Sequence, residues 1–244
     1  MKKILTASLI CLCLPAAAQA DALGIRIGAN AWQQNFSGHA KSGDPDDKID
    51  IEDDLGFDDD DGFQGYISFE HSVPAIPNIL VQRTVIDADA NGDLNGKTFD
   101  GVTFPGDVNS TIDLTHTDTT LYYEILDNWV SLDIGLTARF FEEGFKIKDQ
   151  TQSATLDIDL VIPMAYAAVK FDLPLTGLYV GADGNGIGYD DNTFLDLKAM
   201  IGWESSIGLG VEAGYRYFDV QFEDSKEEAD LTIEGPFAGL FFHF

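Results

Sequence analysis

The residues of this sequence that could do chemistry are mostly carboxylates. The stretch Asp87-x-Asp89-x-Asn91-Gly92-Asp93-Leu94 places oxygen ligands at positions one, three and five, glycine at six and an apolar residue at eight. That is the opening of a loop that wraps a calcium ion. Position twelve should be a bidentate Glu and is Thr98, so a metal site on Asp87, Asp89, Asn91 and Asp93 would be weak or completed from another loop. A second acidic stretch, from Lys41 to Asp61, sets eleven acids against Lys41 and Lys48. Such charges repel one another unless cations or solvent screen them, and hard ions such as Ca²⁺ suit carboxylate and carbonyl oxygens. A solvated acidic surface is the plainer account of both stretches and outweighs a calcium site.

Catalysis needs a nucleophile or an activated water, and histidine is scarce. His39, His71, His116 and His243 are scattered, and only His116-x-Asp118 puts an imidazole and a carboxylate on one strand face. A histidine satisfied by its strand neighbours is the better reading of that pair. The sequence has no Gly-x-Ser-x-Gly motif, no metal-spaced His cluster and no phosphate loop. Asp183-Gly184-Asn185-Gly186 reads as a bulged piece of strand.

These groups sit in a chain of 244 residues with 14 Lys+Arg, 42 Asp+Glu and a net charge of −28. Nucleic acid is excluded as a partner, because a phosphate backbone is held by clustered Lys and Arg. At 45% hydrophobic residues the chain carries enough apolar surface to fold. Residues 1–20 read as a secretory signal peptide: a positive start at Lys2 and Lys3, an apolar run from Ile4 to Leu14, and Ala18-Gln19-Ala20 before Asp21. Both cysteines, Cys11 and Cys13, lie inside it without lipoprotein spacing. The exported chain, residues 21–244, then carries −30 and no cysteine, so burial and hydrogen bonding alone must hold it.

After residue 20 the pattern is period two. Val130, Leu132, Ile134, Leu136, Ala138 and Phe140 alternate with small or polar residues, and the runs from Leu195 to Trp203, Leu209 to Tyr217 and Leu156 to Tyr166 repeat this. Soluble strands are usually about five or six residues long, whereas a tilted strand crossing a bilayer needs roughly nine to eleven. Ten strands are predicted, near 22–34, 62–72, 78–90, 112–125, 129–141, 154–171, 177–189, 192–204, 207–222 and 231–244. Every second connection is short, and Asn35 to Asp61 and Asn91 to Thr111 are long. The fold class is therefore all-β: an antiparallel transmembrane β-barrel of about ten strands, within a range of eight to twelve, with its turns towards the periplasm.

If the apolar positions face lipid, those between them face the lumen. Inward candidates are Arg26, Glu70, Glu124, Asp133, Arg139, Asp157, Asp183, Asp196, Lys198, Glu212 and Arg216. Asp133 with Arg139, Asp196 with Lys198 and Glu212 with Arg216 are expected to join a charge network that nearly closes so narrow a barrel. Arg83 and His116 break the simple alternation, which a bulge or a strand portion above the membrane would explain. Trp32, Trp129, Trp203, Tyr122, Tyr123, Tyr166, Tyr179, Tyr189, Tyr215 and Tyr217 fall towards strand ends, as interfacial girdles do.

The final strand carries Ala238, Leu240, Phe242 and Phe244 on one face and stops at Phe244. Here the sequence resembles Gram-negative outer-membrane proteins, whose terminal Phe is an assembly signal read by the barrel-assembly machinery. More narrowly, Ile51-Glu52-Asp53-Asp54-Leu55-Gly56-Phe57-Asp58 and Gly214-Tyr215-Arg216-Tyr217 resemble a family of small exported barrels that brings no active site with it. The resemblance implies the cell outer membrane as location, with lipid and lipopolysaccharide as surroundings. Ten strands and a His/Asp pair also resemble the omptin proteases, but the order is reversed and omptin-like sequence is otherwise absent. The expected function is a barrel with a structural or surface-interaction role, no enzymatic activity, and acidic outer loops that attract divalent cations. The competing readings are a narrow channel for small or cationic solutes and an outer-membrane hydrolase.

Overall fold

A computed structural model describes residues 23–43, 47–141, 144–157, 161–190, 192–223 and 227–244. The expected leader, and Asp44 and Asp46, lie outside the described residues. Ten strands form the wall: β1 (Leu23–Ser42), β2 (Asp60–His71), β3 (Asn78–Val85), β4 (His116–Asp127), β5 (Val130–Phe141), β6 (Val161–Asp172), β7 (Leu178–Tyr189), β8 (Asn192–Glu204), β9 (Leu209–Glu223) and β10 (Glu227–His243). Each pairs antiparallel with its sequence neighbour, and β10 closes on β1 from Arg26↔His243 to Ser42↔Glu227. No helix occurs among the described residues. Closure leaves the wall no free edge, and this lets its backbone polar groups be satisfied inside a bilayer.

Alternation sets the two faces. Ile134, Leu136, Ile201, Val211 and Leu240 point out and are exposed, giving the wall an apolar exterior. Four connections at one end are short, 72–77, 128–129, 173–177 and 205–208, and both Leu23 and Phe244 lie at that end. Gly208 makes the last of these turns at φ +83°, with the His243 carbonyl packed where a Cβ would stand, so a side chain is excluded twice over. Phe244 is exposed, stacks edge-on against Phe242 at 4.6 Å and donates its N–H to the Ile25 carbonyl.

Three of the expected strands are interrupted. The segments read as 78–90, 112–125 and 154–171 each divide, and their outer pieces leave the wall to join Gly144–Lys148, from the loop after β5, in a separate sheet in the order Ser153–Asp157, Gly144–Lys148, Asp107–Asp113, Asp87–Asp93. This sheet stands above the long-loop end. The sixth strand has its faces the other way round from the expectation: Met164 and Tyr166, expected outside, are buried inside, while Val161 faces out. Alternation keeps its phase on the two sides of the break, Ala154 being buried in the loop core and Met164 and Tyr166 in the lumen, so the apolar positions of this run turn inward on both. Asp157 accordingly lies in the loop sheet and not on the barrel lumen.

The long loops also build a core. Ile51, Leu55 and Phe57 from the first loop, Ile86, Leu94, Phe99, Phe104 and Ile112 from the second and Ile147 from the third pack onto Trp32, Phe36, Phe141, Phe194, Phe218 and Ile233 of the wall. The acidic first loop is thus an anchored cap. Asp50 accepts the backbone N–H groups of Glu52 and Asp53 at 3.0 and 2.9 Å, which fixes the turn and drives Ile51 and Leu55 inward. Asp54 forms an ion pair with Lys97 of the second loop.

Candidate functional site

The lumen divides into two layers of different chemistry. Towards the long loops, Arg139 donates two hydrogen bonds to Asp118, at 2.7 and 2.6 Å, and a third to Asp196 at 2.6 Å. Arg216 donates to both oxygens of the same Asp196, at 2.8 and 2.7 Å. All four side chains are at most 3% exposed. Burying such charges is costly unless each is paired and hydrogen-bonded, and two carboxylates bridged by two guanidiniums meet that condition. Aromatic faces complete the layer: Arg139 lies over Phe194 and Phe218, and Arg216 over Trp32 at 4.6 Å. The apolar cap sits directly on it.

His116 belongs to this layer. Its Nδ1 donates to the Leu114 carbonyl at 2.7 Å, and its ring stacks on Phe218. Asp118 spends both oxygens on Arg139, so the His116-x-Asp118 couple forms no hydrogen bond of its own. His116, Asp118 and Asp196 bring ligand atoms within 4.8 Å of one another, the spacing of a metal site. The donor set does not fit one, because Arg139 and Arg216 already occupy the carboxylates and would stand as two fixed cations beside the ion.

Below this layer Thr137 links Thr120 at 2.7 Å and Asn185 at 2.6 Å. Next, Glu212 accepts hydrogen bonds from Arg26 at 3.1 Å, Asn30 at 3.0 Å and Tyr179 at 3.0 Å, while Lys198 pairs with Asp183 at 3.0 Å. From here to the short-turn end the lumen is an open cavity of about 420 Å³. Its wall owes its shape to glycines facing rings across the ladder. Gly28 faces Tyr66, Gly202 faces Tyr179 and Gly210 faces Phe241, and a Cβ on any of them would lie 2.1–2.4 Å from the ring.

Every residue of the expected charge network faces the lumen, but the partners differ from those read along single strands. Arg139 meets Asp118 and Asp196, whereas Asp133 lies six residues away in the lower cavity. Lys198 meets Asp183, directly opposite on β7, in place of Asp196; Glu212 meets Arg26, and Arg216 meets Asp196. Residues two apart on a strand are separated by roughly 6.6 Å, while directly opposed residues approach to about 5 Å, so Arg139–Asp118 and Lys198–Asp183 form across the ladder, Arg216 reaches Asp196 on the diagonal, and Arg139–Asp196 and Arg26–Glu212 join strands that are not neighbours. Sequence reasoning missed Asp118 as a lumen partner. The girdle also needs correction: Trp32, Tyr122, Tyr166 and Tyr179 point inward and are buried, while Trp129, Trp203, Tyr123, Tyr189 and Tyr215 are outward.

The calcium loop is not formed. Asp87, Asp89, Asn91 and Asp93 lie along one exposed face of an extended strand, whose ends are separated by roughly 20 Å, so they cannot converge on one ion. Thr111 donates to Asp89 at 2.6 Å and Asn109 donates to Asn91. Gly92 is there for another reason: the Asp54 carbonyl would lie 2.0 Å from its Cβ, so only glycine lets the first loop close on the second. Burial first, then the charges of Asp113, Asp89 and Asp60, raise Asp87 above its ordinary range.

No family matches the sequence, and no curated protein matches it either. Among solved structures, the chain is similar to the outer membrane protease OmpT from Escherichia coli, with a TM-score of 0.60 and 9% identity over 93% of this chain and 98% of that one. Looser likenesses are to the translocator domain of the autotransporter NalP from Neisseria meningitidis, TM-score 0.39, 15% identity, 91% and 88% covered. Another is to the outer membrane protein AlkL, TM-score 0.34, 14% identity, 100% and 97% covered. At such identities the likeness is one of fold, and the fold is that of an outer-membrane β-barrel.

Proposed function

We propose that this outer-membrane barrel is closed to solutes, has no catalytic activity and serves to hold a folded acidic platform outside the cell. The observation that carries the reading is the Arg139–Asp118–Asp196–Arg216 layer, which spans the lumen beneath an apolar cap from three loops. A hydrated path would have to break three buried charge-assisted pairs and lift that cap. The likeness to a protease does not bring activity with it, since the one His/Asp couple lies under the cap, with the His116 Nδ1 on the Leu114 carbonyl, its Nε2 buried without a partner and both Asp118 oxygens held by Arg139. In the proposed orientation the short turns face the periplasm. The platform's outward acids keep company with the divalent cations of lipopolysaccharide.

Planar-bilayer recording of the purified protein tests this. No conductance steps above background are expected from the native chain, and steps are expected to appear once the layer is opened by Asp196→Ala. Regular steps from the native chain would establish the competing reading, a narrow channel. A compact, detergent-resistant form on unboiled gels should accompany either result, as expected of a closed barrel.

A further inference from the structure

The lower cavity has a wall that the rest of the lumen does not explain. Glu70, Glu124 and Asp133 converge on it from β2, β4 and β5, with Asp133 directly opposite Glu124 in the ladder. The cations of the cavity are already engaged: Lys170 by Asp172 at 3.3 Å, Arg26 by Glu212 at 3.1 Å and Lys198 by Asp183 at 3.0 Å. Unlike every carboxylate of the upper layer, Asp133 has a buried oxygen, Oδ1, with no hydrogen-bond partner. Between the acids lie two tyrosine rings, Tyr122 and Tyr166, with centroids 5.8 Å apart. The Tyr122 hydroxyl donates to Glu70 at 2.7 Å. Tyr166 is 6% exposed and lines the cavity, and among the described residues nothing hydrogen-bonds its hydroxyl.

We infer that this cavity is a binding site for a small organic ammonium ion, a linear diamine or polyamine, entering from the short-turn end. The carboxylates would accept its N–H groups, the Tyr166 hydroxyl would take one more, and the tyrosine faces would cover the alkyl chain. At about 420 Å³ the space is that of a small-molecule pocket and far exceeds a bare metal ion. The inference goes beyond the closed-barrel reading and does not depend on it, since the cavity lies wholly below the sealed layer.

Calorimetric titration of the full barrel in detergent with spermidine, at physiological ionic strength, is the test. One saturable site is expected, weakened about tenfold or more by Asp133→Asn or Glu124→Gln, the scale of losing a charge-assisted hydrogen bond. Tyr166→Phe, which keeps the ring and the fold, should weaken binding several-fold. Heat-modifiable migration of each variant shows that the barrel is intact. No saturable heat, equal binding by all three variants, or full displacement by equimolar Mg²⁺ would each overturn the inference. The second would place spermidine on the acidic loops, and the third would reduce the site to charge alone.

Discussion

The two halves of the lumen are made from the same ingredients and end in opposite states. In the upper half each carboxylate is bridged by a guanidinium, the charges are dry, and an apolar cap from the loops covers them. In the lower half carboxylate faces carboxylate, one of them lacks a partner, and the space is open. What separates the two is what each carboxylate meets, Arg139 and Arg216 for Asp118 and Asp196 above, Glu124 directly across the ladder for Asp133 below, together with the presence or absence of a lid. Arginine placed among aspartates seals a barrel; glutamate placed opposite aspartate keeps it solvated.

The largest test of that contrast removes the seal. Arg139→Met leaves Asp118 with no partner and Asp196 with Arg216 alone, deep in the wall. Breaking a buried pair by deleting one member costs about 3–5 kcal/mol. Urea unfolding followed by loss of the compact gel form should read that loss. An effect as small as that of an exposed arginine would mean that water reaches the layer. The converse change belongs to the lower half. Asp133→Asn removes a like charge directly opposite Glu124 and is expected to stabilise the barrel by about 0.2–1 kcal/mol. Destabilisation on the same urea curve would show that Asp133 holds the wall together in the free protein.

Which parts of this were legible in the sequence follows from what period two can carry. It gives the face of each residue along an unbroken strand, so the ten-stranded barrel and the inward position of Arg26, Asp133, Arg139, Asp196, Lys198, Glu212 and Arg216 could be read. It does not give register between strands. The partners therefore cannot be read from it, and spacing alone sets Asp118 beside His116 when it belongs to Arg139. Nor does alternation report where a strand leaves the wall. The run from Leu156 to Tyr166 keeps its pattern on both sides of such a break, so its apolar positions read as a lipid face while Tyr166 lies inside. Ile51, Leu55 and Phe57 were masked in another way: they are three apolar anchors inside a run of acids, and charge count drew the eye to the acids. Gly92 completed a calcium-like motif by coincidence of spacing, while its actual constraint is a backbone of another loop.

The smallest expected effect distinguishes two acidic regions outside the wall. Glu228 accepts hydrogen bonds from Lys48 at 2.7 Å and His39 at 2.9 Å, and these hold it below the ordinary carboxylate range, Lys48 first. Its pKa is lower folded than unfolded, so its contribution is present above the unfolded value, near about 4.3, and is lost as pH falls through the folded one. Asp87 has the opposite sign: its folded pKa is raised, so the loop sheet gains as pH falls into the range where Asp87 takes up its proton. Acidification from neutral pH should therefore first tighten Asp87–Asp93 against Asp107–Asp113, and only at lower pH loosen Ser42 and Lys48 from β10. Amide exchange, corrected for its intrinsic pH dependence, reads the two segments separately. Glu228→Gln should abolish the second phase and leave the first. If both segments lose protection together, the platform responds as one body and the ion pair of Lys97 with Asp54, which joins the loops, governs it in place of these two carboxylates.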